Sequence, residues 1–411
     1  MTTAKENVIV TGGGAAGFFT AINCAQLHPD CPVTILEKSN KLLAKVKISG
    51  GGRCNVTNAC FDNDELVKNY TRGEKELRNV FSRFNTTDTI KWFEERGVKL
   101  KTEEDGRIFP ESNSSDSIVN CLLSEAKKSG VKIKTGIDIE EIIINDDKTF
   151  TLKEKSGGVF TCHKLMIATG GNANAKAYDW LRKLGHTIIK PIPSLFTFNI
   201  PANSITKLMG VSVPNAKVSL AGTKIKTEGA LLITHWGMSG PAILKASAWG
   251  ARKLNELNYN FSVIINWLPQ FSLNSLADEI LNLKKHNGAK IILNYYPLEL
   301  PKRLWEYFLH KAEIKSGSRW ADLSKKQNHS LLNILLNDAY NVKGKTTFKE
   351  EFVTCGGVSL KEIDFGTMQS KIIPNLYFSG EVIDVDGLTG GFNFQNAWST
   401  AWIAAKNIIS S

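Results

Sequence analysis

Residues 7–38, NVIVTGGGAAGFFTAINCAQLHPDCPVTILEK, decide the fold of this chain. Val8 to Val10 are β-branched and end at a glycine turn, while Ala15 to Leu27 carry apolar residues at helical spacing. The period therefore changes from strand to helix at the glycines. Gly12, Gly14 and Gly17 complete a G-x-G-x-x-G. The first glycine permits the tight turn, the second lets backbone approach a pyrophosphate, and the third lets helix and strand pack closely. The phosphates would sit at the helix N-terminus beside Ala15 and Ala16, where unpaired N–H groups and the helix dipole favour negative charge. Glu37, followed by Lys38, ends the next strand at the spacing where a carboxylate accepts ribose hydroxyls. Strand, turn, helix and spaced acid together predict a dinucleotide site.

The 411 residues exceed the usual range of about 100 to 200 per domain, which predicts two or three domains. The 42% hydrophobic and 22% charged composition is that of an ordinary soluble protein, and no apolar run approaches the roughly 20 residues that span a bilayer. A cytoplasmic protein without a membrane partner is expected. Seven cysteines form no C-x-x-C pair and no zinc-ligand spacing, so neither a disulfide framework nor a metal site is predicted. The net charge of +11 raises an acidic partner such as RNA, but basic residues read as spread along the chain and are assigned to a solvated surface.

Beyond Glu37 the stretch KISGGGRCNVTN places Ser49, Gly50, Gly51, Gly52, Arg53, Cys54 and Asn55 in a segment that is neither regular helix nor strand. So many placed donors beside open backbone point to a cofactor contact. Helical patterns from Asp64 to Arg96 break near Asn85, a further helix spans Ser115 to Lys128, and short strands follow as a small meander. LMIATGG reads as a buried parallel strand whose end, Thr169, Gly170 and Gly171, meets a ligand. Three prolines in KPIPSLFTFNIP mark the exit from this first domain. The boundaries predicted are 1–190 and 346–411 for the two parts of the dinucleotide domain. Between them, 191–345 is an insertion, strand-rich over 191–268 and 320–345 and helical over 269–319, with helices expected at Leu273 to Lys284, Lys302 to Ala312 and Ser330 to Tyr340.

A fingerprint alone does not separate NAD from FAD. The C-terminal sequence NLYFSGEVIDVDGLTGGFNFQNAWSTAWIAAKNII supplies a strand ending at Gly380 and Glu381, then Asp386, the turn Gly390-Gly391, and a helix from Asn393 to Ile409. Such a helix start places partial positive charge where a reduced flavin accumulates negative charge, which favours FAD.

GGGAAG, KISGGGRCNVTN, DGRIFP, THWGMSGPAIL, CGGVSLKEID and GEVIDVDGLTGGFNFQNAWS together resemble, in order, the motif series of the BaiN-like NAD(P)/FAD-dependent oxidoreductases. The resemblance implies an α/β fold: a doubly wound, Rossmann-type, glutathione-reductase-like FAD domain built from both chain ends, with inserted β-barrel-like and helical domains. It also implies noncovalent FAD, with Ser49 to Asn58 beside the isoalloxazine and Gly380 to Gln395, including Gly391, Phe392, Asn393 and Gln395, around the ribityl chain and ring.

Cys54 and Cys60 are separated by five residues rather than the four of flavin disulfide reductases, and one extra helical residue turns a thiol away by about 100°. Cys54 is therefore expected to pack in the glycine loop rather than to relay electrons. No second G-x-G-x-x-G is present, so either NADH or NADPH docks transiently over the flavin or another reductant serves. His235 in THWGMSG is the best candidate for a general acid, set against a purely structural histidine, and Arg107 for an anion contact, set against a surface ion pair. The leading expectation is an FAD-dependent oxidoreductase moving hydride between NAD(P)H, flavin and a small organic substrate. The alternatives are a flavin-dependent RNA-modifying enzyme and a non-catalytic flavin-binding protein.

Overall fold

The computed structural model describes residues 6–346 and 353–409. The chain divides into two units, Met1–Ser194 with Phe348–Ser411, and Leu195–Thr347. The re-entry expected near residue 346 adjoins 347–352, which lie outside the described residues.

The first unit is organised on the wholly buried strand Val8–Thr11. It pairs in parallel with Val33–Glu37 on one side and Lys164–Ile167 on the other. Lys132–Thr135 extends one flank, and Leu376–Phe378, from the far end of the chain, extends the other, also in parallel. Such strands are buried on both faces, which is why they read as unbroken apolar runs. Among the described residues, an antiparallel ribbon of Ile363–Asp364 and Gln369–Ser370 completes a seven-stranded sheet. The helix Ala15–Leu27 packs against the terminal helix Phe392–Asn407. Phe19 and Phe93 lie 5.2 and 5.5 Å from Trp398, between ring centroids. The expected meander is present as Ile139–Ile144, Phe150–Glu154 and Val159–Cys162. The break near Asn85 is a helix start, where Asn85 and Asp88 form a capping box.

In the second unit, seven strands among the described residues form one sheet, ordered Asp338–Lys343, Asn260–Asn266, Ser212–Leu220, Lys226–Thr234, Gly237–Ser239, Thr197–Asn199 and Lys345–Thr346. Its two edge strands are consecutive in the chain, separated by Gly344 alone, so the sheet curls towards a barrel. Four helices, Pro241–Glu256, Leu273–His286, Lys302–Lys311 and Lys325–Asn337, share a single core with its inner face. The helix expected over Ser330 to Tyr340 instead starts at a Ser324–Gln327 capping box and stops at Asn337. Asp338 ends it because its buried carboxylate accepts from Trp267, Tyr340 and Lys311, holding the residue in strand geometry.

Basic residues are spread over both units, as the sequence reading has it, but the acids are not. Residues 195–347 hold 19 Lys and Arg against 9 Asp and Glu, a net +10, leaving 32 against 31, a net +1, for the remainder. No helix among the described residues is long and apolar enough to cross a membrane.

His186 joins three segments of the first unit. Its Nδ1 lies 3.0 Å from Glu362, its Nε2 3.1 Å from Ser370 Oγ, and its ring packs edge-on against Phe378. Burial pushes its pKa below the ordinary 6.5, overcoming the opposing pull of Glu362. Burial alone would raise Glu362, but bonds from Thr187 and His186 hold it below its ordinary value. Both groups bind fewer protons folded than unfolded, so stability falls on acidification. For His186 the loss begins as pH drops through 6.5, the ordinary value it recovers on unfolding. Thermal melts should show a declining transition below about pH 6.5, and in His186→Gln that segment of the decline should flatten.

Candidate functional site

The glycine turn and the two segments facing it come from one unit. Gly12 has φ +106°, and a Cβ there would meet Ala168 O at 2.4 Å; one at Gly17 would meet Gly12 O at 1.8 Å. Those two glycines are fixed by packing. Gly14 differs: nothing lies within 4 Å of a Cβ built on it, and the helix Ala15–Leu27 that it caps has no side-chain cap and no acid in its first turn. The turn thus presents open space against uncompensated N–H groups beside Ala15 and Ala16. Glu37 accepts the amides of Gly13 (2.6 Å) and Ser39 (2.8 Å), which aims its carboxylate along the turn and leaves acceptor capacity for hydroxyls. Lys38 turns outward and pairs with Asp138 at 3.2 Å.

The SGGG segment leaves helical geometry as expected, but only after a helical start at Ala44. Gly50 and Gly51 have φ of +59° and +68°, and Ser49 is extended. A Cβ at Gly51 or Gly52 would meet nothing within 4 Å. Arg53 stacks 3.9 Å over Phe109 and pairs with Glu103 at 2.5 Å. Arg107 pairs with Glu103 and Asp105, an ordinary surface network. Cys54 is fully buried in the glycine loop, where burial raises its thiol to about 12 and keeps it protonated. Every described cysteine is free.

Residues 55–58 are zipped to the start of the terminal helix. The hydrogen-bond network orients Asn55 so that its oxygen accepts from Gly391 N at 2.9 Å and its nitrogen donates to Thr57 O. Thr57 Oγ1 bonds Gln395 Oε1 at 2.5 Å, Asn58 donates to Gly390 O at 3.0 Å, and Trp398 Nε1 donates to Val56 O at 2.9 Å. Tyr70 donates to Phe392 O, and Asn393 brackets the Gly387 peptide by accepting from its N–H and donating to its carbonyl. Gly391, φ +100°, caps the helix without a side chain, and a Cβ there would strike Thr57 at 2.4 Å. This helix also lacks an acid in its first turn.

Beyond the strand Lys164–Ile167, Thr169 is exposed and Gly170 is left-handed. A Cβ on Gly171 would lie 2.4 Å from Thr354 Oγ1 and 2.7 Å from Glu381 Oε1. Gly380, φ +71°, donates to Thr400 Oγ1. Glu381 accepts from Thr354 N and pairs with Lys45, both at 2.7 Å. Asp386, expected to contact the cofactor, is instead fully buried with its carboxylate committed to Arg72 and to Ser194 Oγ. His235 lies in the second unit, exposed and stacked edge-on against Trp236. Sequence reasoning missed Lys45, Arg72, Ser194 and Thr354, whose partners lie elsewhere in the chain, and read as helical the stretch in which Arg72 ends the strand Tyr70–Arg72.

These residues fit a flavin dinucleotide. The space over Gly14, the aimed Glu37 and two uncapped helix starts suit its charges and hydroxyls. Thr354 Oγ1, Ser379 Oγ and Asn396 Oδ1 are buried without a hydrogen-bond partner, and Thr354 Oγ1 lies beside Gly171.

Comparison with known proteins agrees. A family model described as HI0933-like protein Rossmann domain matches residues 6–407. A ribosomal RNA dihydrouridine synthase from Haemophilus influenzae is 32% identical over 420 residues, covering 99% of each chain. A 3-dehydro-bile acid delta(4,6)-reductase from Clostridium scindens is 27% identical over 406 residues, covering 97% of each. Among solved structures, a 3-ketosteroid delta1-dehydrogenase from Sterolibacterium denitrificans superposes with a TM-score of 0.53 at 12% identity, covering 99% of this chain and all of that one, a likeness of fold.

Two contrasts test the site. Gly14→Val fills only open space, so the protein should stay folded while FAD affinity drops by about a hundredfold, roughly 3 kcal/mol; Gly17→Ala should fail to fold. Flavin absorbance and thermal melts of the purified variants check both. Arg72→Met leaves the buried Asp386 charge unpaired and should cost about 3–5 kcal/mol of unfolding free energy in denaturant titrations, with part recovered when Asp386→Leu is added.

Proposed function

Because this chain belongs to the HI0933-like Rossmann family and is an FAD-dependent oxidoreductase, we propose that it saturates the C5–C6 double bond of uridines in ribosomal RNA, at the expense of NADH or NADPH. The net change adds a hydride and a proton across one carbonyl-conjugated carbon–carbon bond, and oxidises one nicotinamide. Bound FAD supplies a hydride carrier between the two.

The observation that carries the RNA reading is the charge partition: a net +10 on residues 195–347 against a net +1 for the rest of the chain. A polyanion is bound chiefly through neutralisation of its phosphates by Lys and Arg. The full-length likeness to a ribosomal RNA dihydrouridine synthase supports the same substrate class. The chain's own groups have defined tasks. Residues 12–17 and Glu37 hold the AMP half of the cofactor. The N–H groups at the start of Phe392–Asn407, fixed by Thr57, Asn55 and Asn58, favour the negative charge of the reduced flavin. Gly51 and Gly52 leave backbone open for a planar ligand to approach.

A second reading, reduction of a small conjugated ketone, is favoured by the likeness to the bile acid reductase. Both names describe saturation of a carbon–carbon double bond, so the chemistry is shared and the substrate's size separates them. Incubation of the holoenzyme with NADPH or NADH and unmodified ribosomal RNA, followed by nucleoside mass spectrometry, should reveal dihydrouridine. Turnover of conjugated enones with no dihydrouridine at any salt concentration would replace the first reading by the second.

A further inference from the structure

The outward face of the sheet in the second unit is a polar, lysine-bearing surface. Along Ser212–Leu220 and Lys226–Thr234 the buried positions alternate with outward ones, and the core takes Val218, Leu220, Leu231 and Ile233. Lys217 and Lys226 are on the other side, with Lys224 exposed in the turn between the strands. Across Asn260–Asn266 and Asp338–Lys343, Ser262 faces Asn341, bonded at 2.9 Å, and Asn260 faces Lys343. Register carries one row from Lys226 through Ser219 and Ile264 to Ala339, and Lys343 lies four residues further along the last strand. The lysines therefore span about 14 Å across the strands and about 13 Å along them.

Two of the three acids of this part of the unit lie off this face. Asp338 is buried against Lys311, and Glu256 pairs with Lys253. Glu228, opposite Lys217, is the carboxylate on the face itself, and it accepts from Asn215. The outward positions of these four strands carry no aromatic side chain. Single-strand readers stack bases on aromatic residues, whereas lysines with short amides and hydroxyls contact phosphates and 2′-hydroxyls of a folded strand.

We infer that this face, with Lys217, Lys224, Lys226 and Lys343 as its charged contacts, docks structured RNA by its sugar–phosphate backbone. The inference rests on the RNA reading above and adds where the polyanion is held. It assigns the face to positioning, and leaves the choice of uridine to other groups.

The test is filter binding of FAD-loaded protein to transcribed ribosomal RNA across a salt series. The triple variant K217E/K226E/K343E should lose at least about tenfold in affinity, with a salt slope shallower by about 2 to 3. The triple variant K302E/K315E/K325E makes the same charge change on the helical part and should bind as the wild type does. Flavin absorbance and thermal melts should match the wild type in both. Equal losses in the two triples would overturn the inference, since net charge alone would explain binding. So would wild-type protein that binds phosphatidylglycerol vesicles and not RNA. If RNA binds through this face but no dihydrouridine forms, the docking surface stands and the proposed reaction falls. If dihydrouridine forms while both triples bind alike, the reaction stands and the surface falls.

Discussion

The flavin-binding unit depends on closure between residues 55–58 and 390–398, which are more than three hundred positions apart in the chain. The contact is polar at its rim and apolar behind. Thr57, Asn58 and the Val56 carbonyl meet Gln395, Gly390 and Trp398, while Trp398 packs on Phe19 and Phe93. Small residues are needed where the two parts approach most closely. A Cβ on Gly380 would fall 2.9 Å from that of Ala16, and one on Gly391 would strike Thr57. The same closure orients the terminal helix, so the dipole offered to a flavin is a consequence of how the chain ends meet.

An insertion of about 150 residues between the halves of such a site should be costly if its ends were free, because closure entropy grows with loop length. Here the ends are not free. Ser194, the last residue before the second unit, is the register partner of Val353, the first described residue after it. The strands Ile188–Ser194 and Val353–Val358 pair along their length, and Ser194 is tied further through Asp386 to Arg72. The second unit carries its own core, drawn wholly from residues 196–342. For the flavin unit, the insertion thus behaves as a folded body attached at two adjacent points.

What was legible in the sequence follows from distance along the chain. The glycine turn, the acid at Glu37, the break in helical geometry at Ser49 and the buried strand before Thr169 are each set by a few neighbouring residues, and their periodicity or dihedral needs are visible locally. Asp386 was not legible in the same way. A carboxylate between glycines near a flavin motif looks like a ligand, and only the fold reveals that Arg72, 314 residues away, has taken it. The helical start at Ala44 was missed because the glycines that follow it dominate the local pattern. The end of the helix at Asn337 was missed because its cause is the burial of Asp338 among Trp267, Tyr340 and Lys311.

The shortage of acids in the second unit was missed for a different reason. A total of +11 over 411 residues looks dilute, and the basic residues do occur in both halves of the sequence. The partition appears only when residues are assigned to units, because acids nearly cancel bases in one unit and not in the other. This division has a physical logic. A flavin site needs positive potential at a few places, and helix starts provide it through backbone N–H groups that carry no net charge. Lysines added near Glu37 would compete with the bonds that aim it, while Glu381 already holds Lys45. A polyanion makes the opposite demand, for mobile cations spread over a broad surface where affinity sums over many weak contacts. Under the proposed RNA reading, the insertion would meet the second demand by carrying few acids, 9 against 19 bases, rather than by gathering the cations, most of which lie in the other unit.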